Sequence, residues 1–416
     1  MKTITAMMLL SATAASAYTL HEWGTFTTVA GSDGVLLAGL EREEASLPLF
    51  SYSHFGLENG NIERGYEEVA RRHGAAPIFA YMKGLNRPVR GVTVKMETPV
   101  IYFHSDEAFD VSVKVGFNGG TISQWYPDRT GGEILPVPPP PADPKKPRPL
   151  TDWTLDFSKP WKGSIEWQGR VLSPAESRDA ILFKPGESLH WMRPRVPEAN
   201  AIRTAKGETE GFLFYRGVGA FDPGLTTTVG SDDTLHLLNR TGSDIPFAFV
   251  FEKTGGTTRW KVMKDGLRAD ASAEIPTSGF SEAVPDFTLG LVEPVYREMV
   301  AGLTATGLLQ SEAKAMVETW WNSYFAQDGL RVFWVVPTAK TESILPLEVS
   351  PKPEKSVRVI VGRSEVIRPA KEREWLAMSR DTDEDRRNSW NSLCASDRFG
   401  VAYRQRVETL AVTAAK

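Results

Sequence analysis

Cysteine is almost missing from this 416-residue chain: Cys394 stands alone, so no intramolecular disulfide can form. A chain of this size has to be held by its apolar core instead. A catalytic thiol would need a histidine partner, and every histidine lies at or before position 236, so Cys394 reads as an inert thiol. Charge of one sign is not in excess. Lys and Arg number 48 against 52 Asp and Glu, a net −4, which leaves no basic footprint for nucleic acid. Beyond the N-terminus no apolar run approaches the roughly 20 residues that a membrane span needs. The familiar catalytic signatures are also lacking: no H-E-x-x-H, C-x-x-C, G-x-S-x-G or Walker loop occurs. Gly217-Val218-Gly219 has no third glycine, and Ser311-Glu312-Ala313-Lys314 matches S-x-x-K without its companion motifs. Asp381, Asp383 and Asp385 alternate like the start of a calcium loop, but Arg386 and Ser392 replace the Gly and Glu that such a loop requires.

What is present begins with an export signal. Lys2, the apolar run Ile4 to Leu10 and the small residues ending in Ala15-Ser16-Ala17 read as a secretory signal peptide. Cleavage after Ala17 leaves a chain beginning at Tyr18, bound for the periplasm, the medium or the cell surface. No lipobox cysteine follows. With 12 Trp, 20 Phe and 10 Tyr, there is ample material for a sizeable core.

Hydrophobic periodicity divides the remainder. Residues 18–91 are mixed, with a strand from Leu20 to Val29 and a short polar helix from Asn61 to His73. From Val92 the period becomes two: Val92, Val94 and Met96, then Val111, Val113, Val115 and Phe117, alternate with polar residues. Asn118-Gly119-Gly120 reads as a hairpin turn into Thr121–Tyr126. Further strands are expected at Ile165–Leu172, Ser188–Met192, Phe212–Arg216, Thr234–Asn239, Pro246–Phe251 and Thr258–Met263. Residues 134–150 hold eight prolines, including Pro138 to Pro141, and read as an exposed polyproline II insertion that is also a candidate docking site for a protein partner. After Phe287 the period turns helical. Val295, Met299 and Leu303 form one stripe, Ser311 is the expected N-cap of a second helix through Phe325, and strands Leu330–Val336 and Val357–Val361 precede a helix opened by Pro369. The expected fold is mainly β with α+β: a β-sandwich-type region over 92–287, then a smaller α+β unit over 288–416.

Two constellations could carry function. The first is histidine: His21, His54 and His104 fall in the β-rich half and are the candidate ligands of one divalent transition metal, with Glu22 as the candidate base. Neighbours on a strand point to opposite faces, so His21 and Glu22 cannot share an ion unless the strand bends. The second is aromatic. Trp153, Trp161 and Trp167 lie within 15 residues, and exposed Trp on a sandwich offers a flat surface for stacking on sugar rings.

The stretch His21-Glu22-Trp23-Gly24-Thr25-Phe26-Thr27 resembles the opening of a family of uncharacterised exported bacterial proteins. Met96-Glu97-Thr98-Pro99-Val100-Ile101-Tyr102-Phe103, Phe214-Tyr215-Arg216-Gly217-Val218-Gly219 and Val359-Ile360-Val361-Gly362-Arg363 are similar too. The resemblance implies export and a shared fold, and brings no activity with it. The leading expectation is therefore an extracytoplasmic binding or scaffold protein recognising a polymer such as glycan. The competing one is a metal-assisted or carboxylate-dependent hydrolase.

Overall fold

In the computed structural model the described residues are 17–44, 47–54, 83–85, 87–133, 135, 154–283 and 292–413. The export signal (Ala17 apart), the expected helix at 61–73 and the proline-rich stretch (Leu135 apart) lie outside them.

The first strand, Tyr18–Ala30, is buried along almost its whole length, because it sits in the middle of an eleven-stranded sheet with a layer on each face. On one side it pairs in parallel with Lys355–Val366, in unbroken register from Thr19 opposite Lys355 to Ala30 opposite Val366. On the other it runs antiparallel to Val94–Met96 and Val100–Ser105. Leu213–Gly219 and Gly120–Tyr126 continue the sheet beyond them, and Gly329–Val335 and Ala248–Thr254 extend it the other way.

Alternation along Tyr18–Ala30 separates two cores. Leu20 and Phe26 face a five-stranded sheet, whose centre is Phe109–Asn118 against Lys162–Val171, and a three-stranded one. Val111, Val113, Val115 and Phe117 point into that same interior while the residues between them face outward. This is sheet-on-sheet packing. Trp23 belongs instead to the opposite core, beneath helices Glu293–Ala305 and Gln310–Tyr324. Helices Pro369–Arg380, Glu384–Ser396 and Gly400–Thr413 close a third, smaller core with Val29, Leu37 and Val92. The protein is thus mainly β with a smaller helical C-terminal region. Among the described residues no helix is long and apolar enough to cross a membrane.

Three local expectations are corrected. Asn118-Gly119-Gly120 makes a turn, with Gly119 at φ +86°, but the strands it joins do not pair. Phe109–Asn118 belongs to the five-stranded sheet and Gly120–Tyr126 to the large one, so the turn carries the chain between layers. Ser188–Met192 is no strand: Ser188 caps a short helix, Leu189–Met192, by accepting from the Trp191 N–H. Ser311 is not a cap, because the second helix begins one residue before it. Gly329–Val335 and Lys355–Val366 lie in the same sheet as the first strand, and Leu347–Ser350 pairs with Phe109–Asn118 in the five-stranded one, so the sheets run across position 287/288.

Candidate metal centre

His21 and His104 come together through strand register. Thr19 lies opposite His104 and His21 opposite Tyr102, so the two histidines are diagonal neighbours on one face of an antiparallel pair. Their ring centroids are 4.7 Å apart. Helix Gln310–Tyr324 starts above this face, and its third residue, Glu312, is fully buried against both rings. The Glu312 Oε2 oxygen lies 2.8 Å from His21 Nδ1 and accepts the Leu309 N–H at 2.9 Å. Its Oε1 oxygen lies 3.1 Å from His104 Nε2. Helix geometry and sheet register thus converge on one cluster of two imidazoles and one carboxylate, whose ligand atoms all lie within 4.8 Å of one another.

Proton accounting at His104 is informative. Its Nδ1 lies 3.0 Å from the Glu198 carbonyl oxygen, which can only accept, so Nδ1 carries a hydrogen. In the neutral ring, Nε2 then turns a lone pair toward the Glu312 carboxylate. Two lone pairs at that distance repel unless a cation lies between them, either a proton or a metal ion. A histidine whose far nitrogen donates to a backbone carbonyl is the usual arrangement around a bound metal. Ligands about 2.0–2.1 Å from a tetrahedral zinc stand ~3.3 Å apart, so receiving such an ion requires the contacts at 2.8 and 3.1 Å to open slightly and the wider pair, within 4.8 Å, to close in. Without an ion, burial pulls His104 toward neutrality, but Glu312 and the Glu198 carbonyl outweigh it and raise its pKa. Burial likewise opposes ionisation of Glu312, yet the bonds from His104, His21 and Leu309 hold it down to about 2.

His104 is the most open member of the cluster. The side chains of Glu312 and His21 are 0 % and 6 % exposed, whereas that of His104 is 16 % exposed. His104 lines a cleft of about 650 Å³ together with Thr19, Ser105, Arg178, Glu198 and Asn200.

The other predicted site residues lie elsewhere. His54 is not in the cluster. Its Nε2 lies 2.7 Å from the Ile122 carbonyl and its ring stands edge-on to Trp125. Burial, with help from Arg129 and Arg87, pushes its pKa down to about 4. Glu22 faces the opposite side of the sheet from His21, as strand alternation requires. It is fully buried, accepts from the Tyr215 hydroxyl at 2.6 Å and from Arg358 Nε at 2.6 Å, and so cannot serve as base to an ion on the other face. Trp167 is 0 % exposed between the sheets, its Nε1 donating to the Pro127 carbonyl, so no sugar ring can stack on it. Trp161 is half-buried on Phe157, with its N–H given to the Asp156 carbonyl. Trp153 lies outside the described residues. Sequence reasoning missed Glu312. The available signal was a glutamate near an expected helix start, where the side chain reaches back over the preceding turn.

No family model and no curated protein matches the chain. Among solved structures it is similar to the yeast delta-COP-I mu-homology domain complexed with a Dsl1 WxWxV peptide, at 6% identity and a TM-score of 0.24. That alignment covers 84% of this chain and 96% of that one. A likeness at that score carries no argument about fold or function.

Proposed function

We propose that this protein is an extracytoplasmic metal-dependent hydrolase whose centre is a single divalent transition ion held by His21, His104 and Glu312. The observation that carries this reading is the fixed orientation of His104: its Nδ1–H is committed to the Glu198 carbonyl while Nε2 faces Glu312. Two imidazoles and a carboxylate make a ligand set that leaves a coordination position for water. An ion held by His21, His104 and Glu312 would supply a Lewis acid able to activate water near neutral pH. The adjoining cleft supplies room for a substrate beside His104. The signal-like N-terminus and the resemblance to exported proteins support the extracytoplasmic setting. The polymer-binding reading has less behind it, since Trp167 is sealed in the core and Trp161 is stacked within the fold.

Elemental analysis of protein loaded with zinc, manganese or iron and then dialysed should find about one ion per chain. His104→Ala and Glu312→Gln should lose that ion, and His54→Ala should keep it. A metal-free wild type, or full stoichiometry in His104→Ala, would overturn the centre and leave a charged His104–Glu312 pair pinning the helix to the sheet. A loaded protein that hydrolyses no ester, amide or phosphoester would remove the hydrolytic half of the reading.

A further inference from the structure

A buried polar atom without a hydrogen-bond partner is costly, and among the described residues four such atoms belong to the wall of one small cavity. They are Glu97 Oε1, Thr98 Oγ1, Thr319 Oγ1 and Trp320 Nε1, on residues that are all more than nine-tenths buried. Two parts of the fold supply them. Glu97 and Thr98 link strands Val94–Met96 and Val100–Ser105, and Thr319 and Trp320 lie on helix Gln310–Tyr324. Val100, Phe212 and Phe214 give the same wall an apolar side. This space shares no wall residue with the cleft beside His104.

The other titratable groups at the wall are accounted for. Glu97 Oε2 accepts from Lys83 Nζ at 2.6 Å, while its Oε1 stands 3.8 Å from Lys95 Nζ, beyond hydrogen-bond reach. Arg216 gives its Nε–H to Gln124 and pairs with Glu43. Burial, followed by the charges of Arg216 and Arg193, pushes the pKa of His190 down to about 4, so its ring is neutral near pH 7.

We propose that this cavity is a binding site for a single water molecule, which ties helix Gln310–Tyr324 to the sheet by bridging Glu97 and Thr98 to Thr319 and Trp320. Size limits the occupant. The cavity leaves about 20 Å³ for the centre of a water-sized sphere, room for one water and for no organic ligand. Chemistry then selects among occupants of that size. Glu97 Oε1 can only accept, the Trp320 indole N–H can only donate, and each hydroxyl can do either. A bare cation would face the indole N–H and crowd Lys83, Lys95 and Arg216 around Glu97. An anion would meet the Glu97 oxygen. Water both donates and accepts, and a buried water takes two to four polar partners. The helix held in this way carries Glu312 about two turns earlier, so the bridge helps to fix how that carboxylate meets the sheet. The tie holds whether or not an ion is bound at Glu312.

Thr98→Val and Thr319→Val, made singly and together in the full chain, give opposite signs for a wet and a dry cavity. Each substitution keeps the shape of the side chain and removes a hydroxyl. With water bound, each should lower the melting temperature by about 1–2 °C. The double variant should lose less than the sum, because both hydroxyls hold the same molecule. Oxygen-17 magnetic relaxation dispersion should also count one long-lived internal water fewer in the double variant than in the wild type. A dry cavity would leave the hydroxyls stranded, so a raised or unchanged melting temperature in the single variants would overturn the proposal. Strictly additive losses, or an unchanged number of long-lived waters, would overturn it as well.

Discussion

A single strand places His21 and Glu22 in different chemistries. His21 meets a helix and a second histidine; Glu22 meets Arg358 and the Tyr215 hydroxyl in the layer between sheets. If Glu22 is a structural counter-ion, Glu22→Gln should leave Arg358 undercompensated and cost about 3 kcal/mol in chemical denaturation. It should leave metal stoichiometry untouched. A variant that melts like the wild type but loses its ion would place Glu22 in the site instead. The period of two was enough to assign these neighbours to opposite faces. It could not say which distant histidine would face His21, because that depends on strand register and not on spacing along the chain. His54, as near to His21 in sequence as many ligand pairs are, ended in a turn just after the strand Tyr52–Ser53, against the Ile122 carbonyl. Glu312, 291 residues away, took its place.

At the scale of elements, the alternating stretches were read well and their partners were not. Val111 to Phe117 show the pattern of a half-buried strand whichever sheet they join, so the turn after them looked like an ordinary hairpin. The glycines around it belong to a close passage between strands. A Cβ on Gly217 would stand 2.2 Å from the Thr121 carbonyl oxygen, where the Leu213–Gly219 register shifts against Gly120–Tyr126. Gly217→Ala should therefore destabilise the protein by about 2 kcal/mol, visible as a lower denaturation midpoint. An unchanged midpoint would mean that the two strands can part there at no cost. Ser188–Met192 shows the converse failure. Five residues with mixed apolar content carry no reliable period, and the Ser188 cap decided the matter.

For the whole molecule, the change from period two to helical period after residue 287 looked like a boundary between units. The large sheet runs across that position, since Gly329–Val335 and Lys355–Val366 return to the sheet that holds Tyr18–Ala30. A chain ending at residue 353 should therefore lack a fold, and the intact protein should unfold in one calorimetric transition. Two well-separated transitions, or a soluble and cooperatively melting truncation, would restore the two-unit description. The parallel pairing of Thr19 to Ala30 with Lys355 to Val366 also fixes an order of events in time. The second strand of that pair leaves the ribosome only after most of the chain has been made, and until then the central strand has no partner on that side. Completion of the sheet is thereby deferred to the end of synthesis, so the central strand spends most of that time with an open edge.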